Sequence, residues 1–298
     1  MAQKKLYGGL EGGGTKFVCA VGTGPDKIIN EVRFSTTTPA ETLAQAIAFF
    51  KKYDLAAIGI AMFGPLDLNP ASPAFGYITA TTKPGWTNTD VLGEFQRAFE
   101  IPIAFDTDVN AAAYGEYAWI PENRQLDSLV YFTIGTGIGA GFIINGKVVH
   151  GLTHPEAGHA RLPHDRKKDP FPGICPFHGD CFEGMANGPA LARRWRRSAE
   201  SLPNDHPAWD LEAFYIAHAL ANVICTLSPQ RIVLGGGVME HLSLFPLIRQ
   251  KVRENLNGYI ASPVIAGPMN EYIIPPGLGK RSGILGAIAL AKKAAKAG

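Results

Sequence analysis

The sequence predicts an α/β protein of two related domains with a cleft between them, and three observations carry that prediction. The chain opens with a series of strand, Gly-rich loop, strand, turn and strand in LYGGLEGGGTKFVCAVGTGPDKIINEVRFS, and a second copy spans residues 129–151, LVYFTIGTGIGAGFIINGKVVHG. Each copy is followed by alternating helical and strand-like segments, the pattern of a layered α/β fold. At 298 residues, 46% of them hydrophobic, the chain can bury a core in each half.

After the first three strands, TLAQAIAFFKKY repeats its apolar residues at helical spacing, and AAIGIAMFG is a short apolar run of the kind that forms a fully buried strand. IPIAF is a further strand, and the Ala-rich stretch Ala111 to Tyr117 is a helix. The first domain is expected to close near residue 118, giving 1–118. In the second copy, Asn145-Gly146 is a type I′ hairpin signal. Residues 160–182 are long, irregular and rich in Pro, His and charge, and a compact domain holds such a stretch when function or a metal organises it. LEAFYIAHALANVICTL then reads as a helix and RIVLGG as a strand, within an expected second domain of 119–283. The last helix, Ile284 to Lys293 in the segment 284–298, is expected to pack back on the first domain.

Composition excludes several classes. With 28 Lys and Arg against 26 Asp and Glu, the net charge of +2 gives no strong attraction to nucleic acid or membrane. Arg193, Arg194, Arg196 and Arg197 around Trp195 read as a solvated helix face over a buried Trp, in preference to a phosphate contact, and His164 to Lys168 reads the same way. No run of about 18 apolar residues appears, and MAQKKLYGGL lacks a signal region, so a soluble, unprocessed protein is expected. Of the four cysteines, Cys19 and Cys225 lie alone in apolar runs, whereas Cys175 and Cys181 sit with histidines. That favours a metal site in a reducing, cytoplasmic compartment over a disulfide framework.

Three loops have the composition of phosphate cradles: Gly12-Gly13-Gly14-Thr15-Lys16 after Glu11, Thr133-Ile134-Gly135-Thr136-Gly137, and Gly235-Gly236-Gly237. Glycine lets backbone N–H groups approach an anion, and threonine adds a hydroxyl donor. The Walker order is absent, since Lys16 follows Thr15, and the dinucleotide-like run from Gly135 leads into a hairpin instead of a helix. Each loop taken alone is equally a tight turn. Because two occupy equivalent places in the repeats and the third follows a strand, together they point to a polyphosphate ligand.

FDTDVNAAAYGE sets Asp106 and Asp108 between a strand and a helix. Asp108 reads either as a helix N-cap or, beside a phosphate site, as a general base for an attacking hydroxyl. Glu11, ending the first strand, reads as a surface acid or as a holder of waters on Mg²⁺. His159, Cys175, His178 and Cys181 have the count and chemistry of a closed tetrahedral zinc site, with His154 or His164 as alternatives for one ligand. The spacing is not that of a nucleic-acid finger. Glu156 and Glu183 flank this set, and a structural metal would hold both carboxylates ready for adjacent sugar hydroxyls.

Taken together, EGGGTKF, TDVNAAAYGE, TIGTGIGAG, HPEAGH with CPFHGDCFEG, and VLGGGVM resemble the ROK family of sugar kinases, transcriptional repressors and related open reading frames, over almost the whole chain. The resemblance implies the actin-like ATPase (ribonuclease H-like) fold. It implies Asp108 as general base, Thr107 as a neighbour that holds the sugar, and Glu156, His159 and Glu183 as the sugar pocket, His159 being also a zinc ligand. Thr15, Thr136 and Gly236 would serve ATP, and the family suggests a homodimer. Glu11 in place of Asp, Thr107 in place of Asn and His178 in place of Cys are similar to the branch of bacterial fructokinases.

The expectation is therefore an ATP- and Mg²⁺-dependent kinase acting on a hexose, fructose first, with structural zinc and with no nucleic-acid or membrane partner. Gly64-Pro65 and the stretch Thr82 to Trp86 are expected to shape the pocket. Kinases for mannose, glucose or an N-acetylhexosamine, and a non-catalytic sugar sensor, are the alternatives.

Overall fold

The computed structural model describes residues 5–297. The start read as unprocessed, Met1–Lys4, and the end of the expected C-terminal segment, Gly298, lie outside them. In chain order the strands and helices are β1 (Leu6–Gly12), β2 (Lys16–Gly24), β3 (Lys27–Ser35), α1 (Pro39–Phe50), β4 (Leu55–Met62), β5 (Tyr77–Ile78), β6 (Thr89–Asp90), α2 (Val91–Ala98), β7 (Ile103–Thr107) and α3 (Asp108–Trp119). There follow β8 (Ser128–Ile134), β9 (Ile138–Ile144), β10 (Lys147–Val148), α4 (Phe182–Ala186), α5 (Gly188–Trp195), α6 (Ala208–Leu227), β11 (Arg231–Gly235), α7 (Leu244–Leu256), α8 (Pro263–Ala266), β12 (Ile273–Ile274) and α9 (Ser282–Ala297).

The repeat seen in sequence is a repeat of sheet order. One sheet runs β3-β2-β1-β4-β7 and the other β10-β9-β8-β11-β12. In the first, β1 pairs antiparallel with β2 and parallel with β4, which pairs parallel with β7. In the second, β11 lies parallel between β8 and β12. Parallel strands present their carboxyl ends at one edge, which is where Thr107 and Gly235 emerge.

Packing separates two compact units: one holds the chain up to Gln125 with 141–155 and 277–298, the other 126–140 and 156–276. Sequence reading puts the boundary near residue 118 and all of 119–283 in the second domain. The structure instead places 119–125, 141–155 and 277–283 in the first unit, and local reasons are visible within it. A Cβ on Gly141 would overlap the Val109 carbonyl of α3. The apolar residues Ile284, Leu285, Ala287 and Ile288 of α9 pack on Val18, Ala20, Ala61 and Ala111.

The approach of α9 to α3 requires glycine on both helices. A Cβ on Gly115 would lie 2.8 Å from Gly286 Cα, and one on Gly286 would overlap the Ala111 carbonyl. Buried Glu116 of α3 fastens the start of α9, accepting from Gly277 N, Leu278 N and Ser282 Oγ. The opposite face of this sheet carries Leu10, Phe17, Phe50, Ile58, Ile60, Trp86 and Phe95 in one core cluster. Trp86, at the end of the stretch expected to shape the pocket, is a core residue, its indole N–H donating to the Thr37 carbonyl at 2.9 Å.

The long segment 160–182 is organised by ion pairs within the second unit. Asp180 accepts from Arg161 (2.6 Å), Arg166 (2.8 Å) and His164 Nδ1 (3.0 Å). Arg194 departs from the solvated-face reading: it is buried, pairs with Asp169 at 3.2 Å and lies over the Phe171 ring. Arg193, Arg196 and Arg197 are exposed. Among the described residues no helix is long and apolar enough to cross a membrane.

Candidate active site and metal centre

In the first unit, α3 decides how the paired acids are used. Thr107 is the N-cap, its Oγ1 accepting from Asn110 N at 3.1 Å. Asp108, which sequence offered as the cap, is instead the first helical residue, and its Oδ1 accepts from Val109 N at 2.9 Å. A hydroxyl can still donate while it accepts, so Thr107 keeps a proton for a ligand. Glu11, in β1, turns its carboxylate towards α9, where a Cβ on Gly283 would meet it. Burial and then the Asp108 charge push the Glu11 carboxyl up to about 7, while Lys16, Arg33 and the Ile284 N–H oppose the shift. A divalent cation would relieve the repulsion between these acids, so the pair fits the Mg²⁺ reading.

The loop after β1 is closed by Gly13 N donating to the Lys16 carbonyl at 2.9 Å, and Thr15 and Lys16 are exposed. Gly12 is buried, and Met62 and Phe17 fill the space its side chain would need. Gly64-Pro65 is a cis bond ahead of Leu66, whose N–H donates to His154 Nε2 at 3.1 Å.

In the second unit, a cavity of about 630 Å³ is lined by Gly135, Thr136, Gly188, Trp209, Gly237 and His241, among others. Two of the three Gly-rich loops therefore meet at one space. Asn187 caps α5, accepting from Ala190 N, and its amide donates to the Thr136 carbonyl, while Gly188 N donates to the Gly135 carbonyl. Gly236 has φ +91° and sits so close to Ile134 that a Cβ would overlap its backbone. Thr133 is half-buried in β8, and Gly235 ends β11. His241 stacks on Trp209 at 3.7 Å, forming a flat wall that no spacing in the sequence announces.

His159, Cys175, His178 and Cys181 converge, with their candidate ligand atoms within 4.8 Å of one another. Cys175 Sγ lies 3.8 Å from His159 Nδ1 and 3.6 Å from His178 Nδ1, and Cys181 Sγ lies 3.6 Å from His159 Nδ1. Zinc–ligand bonds of about 2.0 to 2.3 Å in a tetrahedron set ligand atoms roughly 3.3 to 3.8 Å apart, a range that holds these three separations. Burial pushes the Cys181 thiol up to about 11, so a cation is what would hold it as a thiolate. The two alternative histidines are engaged elsewhere, His154 at Leu66 and His164 between Asp180 and the Asp169 carbonyl.

Glu183 Oε2 accepts from Ile138 N at 2.8 Å, which ties α4 to the strand after the second glycine loop. Burial and the Glu183 charge push Glu156 up to about 7. The predicted residues thus fall into two groups. Glu11, residues 12–16, Gly64, Pro65, Thr107 and Asp108 belong to the first unit, and Thr133–Gly137, Glu156, the Cys/His set, Glu183 and Gly235–Gly237 to the second.

The sequence profile of the ROK family matches residues 7–294. The chain belongs to the ROK family. It is 44% identical to a fructokinase of Pediococcus pentosaceus over 98% of this chain and 99% of that one. A fructokinase of Lactococcus lactis subsp. cremoris is 48% identical over 86% of this chain and 87% of its own. Among solved structures, a ROK hexokinase from Thermus thermophilus superposes with a TM-score of 0.76 at 26% identity, covering 98% of this chain and all of that one. The fold is accordingly the actin-like ATPase fold of the ROK sugar kinases.

Proposed function

We infer that this ROK protein transfers the γ-phosphoryl group of ATP to the terminal hydroxyl of a hexose, fructose in preference to others, giving fructose 6-phosphate and ADP. Identity of 44 to 48% to fructokinases over most of both chains supports the reaction and its acceptor. The observation that carries the mechanism is the first turn of α3, where Thr107 takes the capping role and relieves Asp108 of it.

In this reading the Asp108 carboxylate accepts the proton of the attacking hydroxyl as the oxygen–phosphorus bond forms and the bond to ADP breaks, a contribution of roughly 10² to 10⁴ in rate. The Thr107 hydroxyl, Glu156, His159 and Glu183 bind sugar hydroxyls, with Gly64 and Pro65 shaping the pocket. Glu183 contributes Oε1, since Oε2 is held by Ile138 N. His159 presents Nδ1 to both sulfurs, which leaves Nε2 for the sugar. The adenosine part of ATP occupies the cavity walled by Trp209 and His241, with Gly12–Lys16, Thr133, Gly135–Gly137 and Gly235–Gly237 contributing amides and hydroxyls to the phosphates. Glu11 would hold Mg²⁺ through water, and the ion would offset phosphate charge. Zinc in the Cys/His set is structural, holding Glu156 and Glu183 in place, and a homodimer is part of the same proposal.

The test is ATP consumption by zinc-replete protein with fructose, mannose, glucose and N-acetylglucosamine. Fructose turnover well above the rest is expected. Equal turnover of all four would remove the fructose assignment, and none at all would leave a sugar-binding protein without catalysis.

A further inference from the structure

His150 and His154 lie in the segment after the β9–β10 hairpin, and the proposed reaction uses neither. His150 Nε2 is 3.2 Å from Asp106 Oδ1 and 3.0 Å from Oδ2. Asp106 is buried, and its Oδ1 also accepts from Thr107 N at 2.8 Å and from Asn110 Nδ2 at 2.7 Å. Those two residues bracket Asp108, and they are joined to each other by the Thr107 cap on Asn110 N. One carboxylate therefore restrains the helix turn on both sides of residue 108, and His150 is its partner from a distant part of the chain. Four residues on, His154 Nε2 accepts from Leu66 N, so this nitrogen carries no proton, and burial favours the neutral ring.

We propose that His150 is a positioning residue, acting through Asp106 to orient the first turn of α3 and with it the Asp108 carboxylate. This rests on the reading of Asp108 as the base. The groups facing His150 are Asp106 at the β7–α3 junction, His154 on its own segment and Lys293 of α9. Its hydrogen bond to Asp106 raises the imidazole pKa, against burial and the Lys293 charge. The charged pair is therefore complete below the ordinary imidazole value and loses its charge as pH rises through the raised one.

The experiment measures kcat, both KM values and Tm over a pH range that spans the imidazole titration for the full-length wild type, H150A, H150Q and D108N. H150A is expected to lower kcat about 10- to 100-fold, as small misplacements of reacting groups do, with the KM for ATP within about twofold of wild type. H150Q, whose amide can donate to Asp106 without titrating, should recover most of kcat and lack the fall with rising pH that the wild type shows. Wild-type kcat in H150A, or a fall with rising pH that persists in H150Q, overturns the proposal. Should H150A fail to fold, the H150Q profile decides alone by the same criterion. D108N separates the two readings: full turnover there removes the base and this role together, whereas a D108N defect beside an unaffected H150A removes only His150.

Discussion

The two units share a sheet order yet carry different chemistry. In the first, the loop after β1 is closed on itself and its Gly12 is packed against Met62, while Asp108, the proposed base, with Glu11 and the Asp106–His150 pair, lies where β1 and β7 meet α3 and α9. In the second, the equivalent loop after β8 opens on a cavity of about 630 Å³, and a Cys/His cluster stands as the proposed brace of Glu156 and Glu183. Each unit also holds a carboxylate pair with one member pushed up to about 7, Glu11 by burial and Asp108, Glu156 by burial and Glu183. A duplicated scaffold thus supplies the same strand ends twice, and the inserted segments decide what is done there.

The sharpest way to break this contrast is at Gly236. G236A forces a Cβ into the Ile134 backbone and a strained φ, so binding of a non-hydrolysable ATP analogue should fall at least tenfold, with a stability loss of about 2 to 4 kcal/mol by denaturant unfolding. Binding and stability equal to wild type would show that the β8–β11 edge does not shape the cavity. Next comes the brace. C181S should lose zinc, lower Tm by several degrees and raise the KM for fructose more than that for ATP, since structural zinc contributes folding energy directly. Stoichiometric zinc at an unchanged Tm would count against the four-ligand site.

The smallest effect concerns the paired acids. A carboxyl whose pKa is raised by folding gives stability that is complete below its unfolded value near 4.5 and is lost as pH rises through about 7. Ligand-free protein should therefore lose stability between those values. E11Q and E156Q should each flatten part of that loss, additively in the double variant. A profile unchanged by either substitution would mean that the two pairs do not titrate as described.

How much of this was legible in the sequence depends on whether the signal is local. Asn145-Gly146 and the glycine loops announce the repeated hairpins, and Thr38 with Pro39 explains why α1 starts at residue 39, ahead of its apolar pattern. The convergence of His159, Cys175, His178 and Cys181 follows from their residue types in one short stretch. The domain boundary does not, because the return of 141–155 and 277–283 to the first unit depends on contacts with α3 and the first sheet that no window of sequence contains. Trp209 and His241, 32 residues apart and stacked at 3.7 Å, are invisible for the same reason. So is His150, a lone histidine whose partner lies 44 residues earlier.

The proposed reaction turns on Asp108 taking the proton from the terminal hydroxyl of fructose. The most direct measurement is phosphorus NMR of the product formed from ATP and fructose by the wild type and by D108N, with fructose binding measured on both. Fructose 6-phosphate from the wild type, formed at least about 100-fold more slowly by D108N at nearly unchanged fructose affinity, is the predicted result. Phosphate on another hydroxyl, or D108N turning over at the wild-type rate, would contradict it.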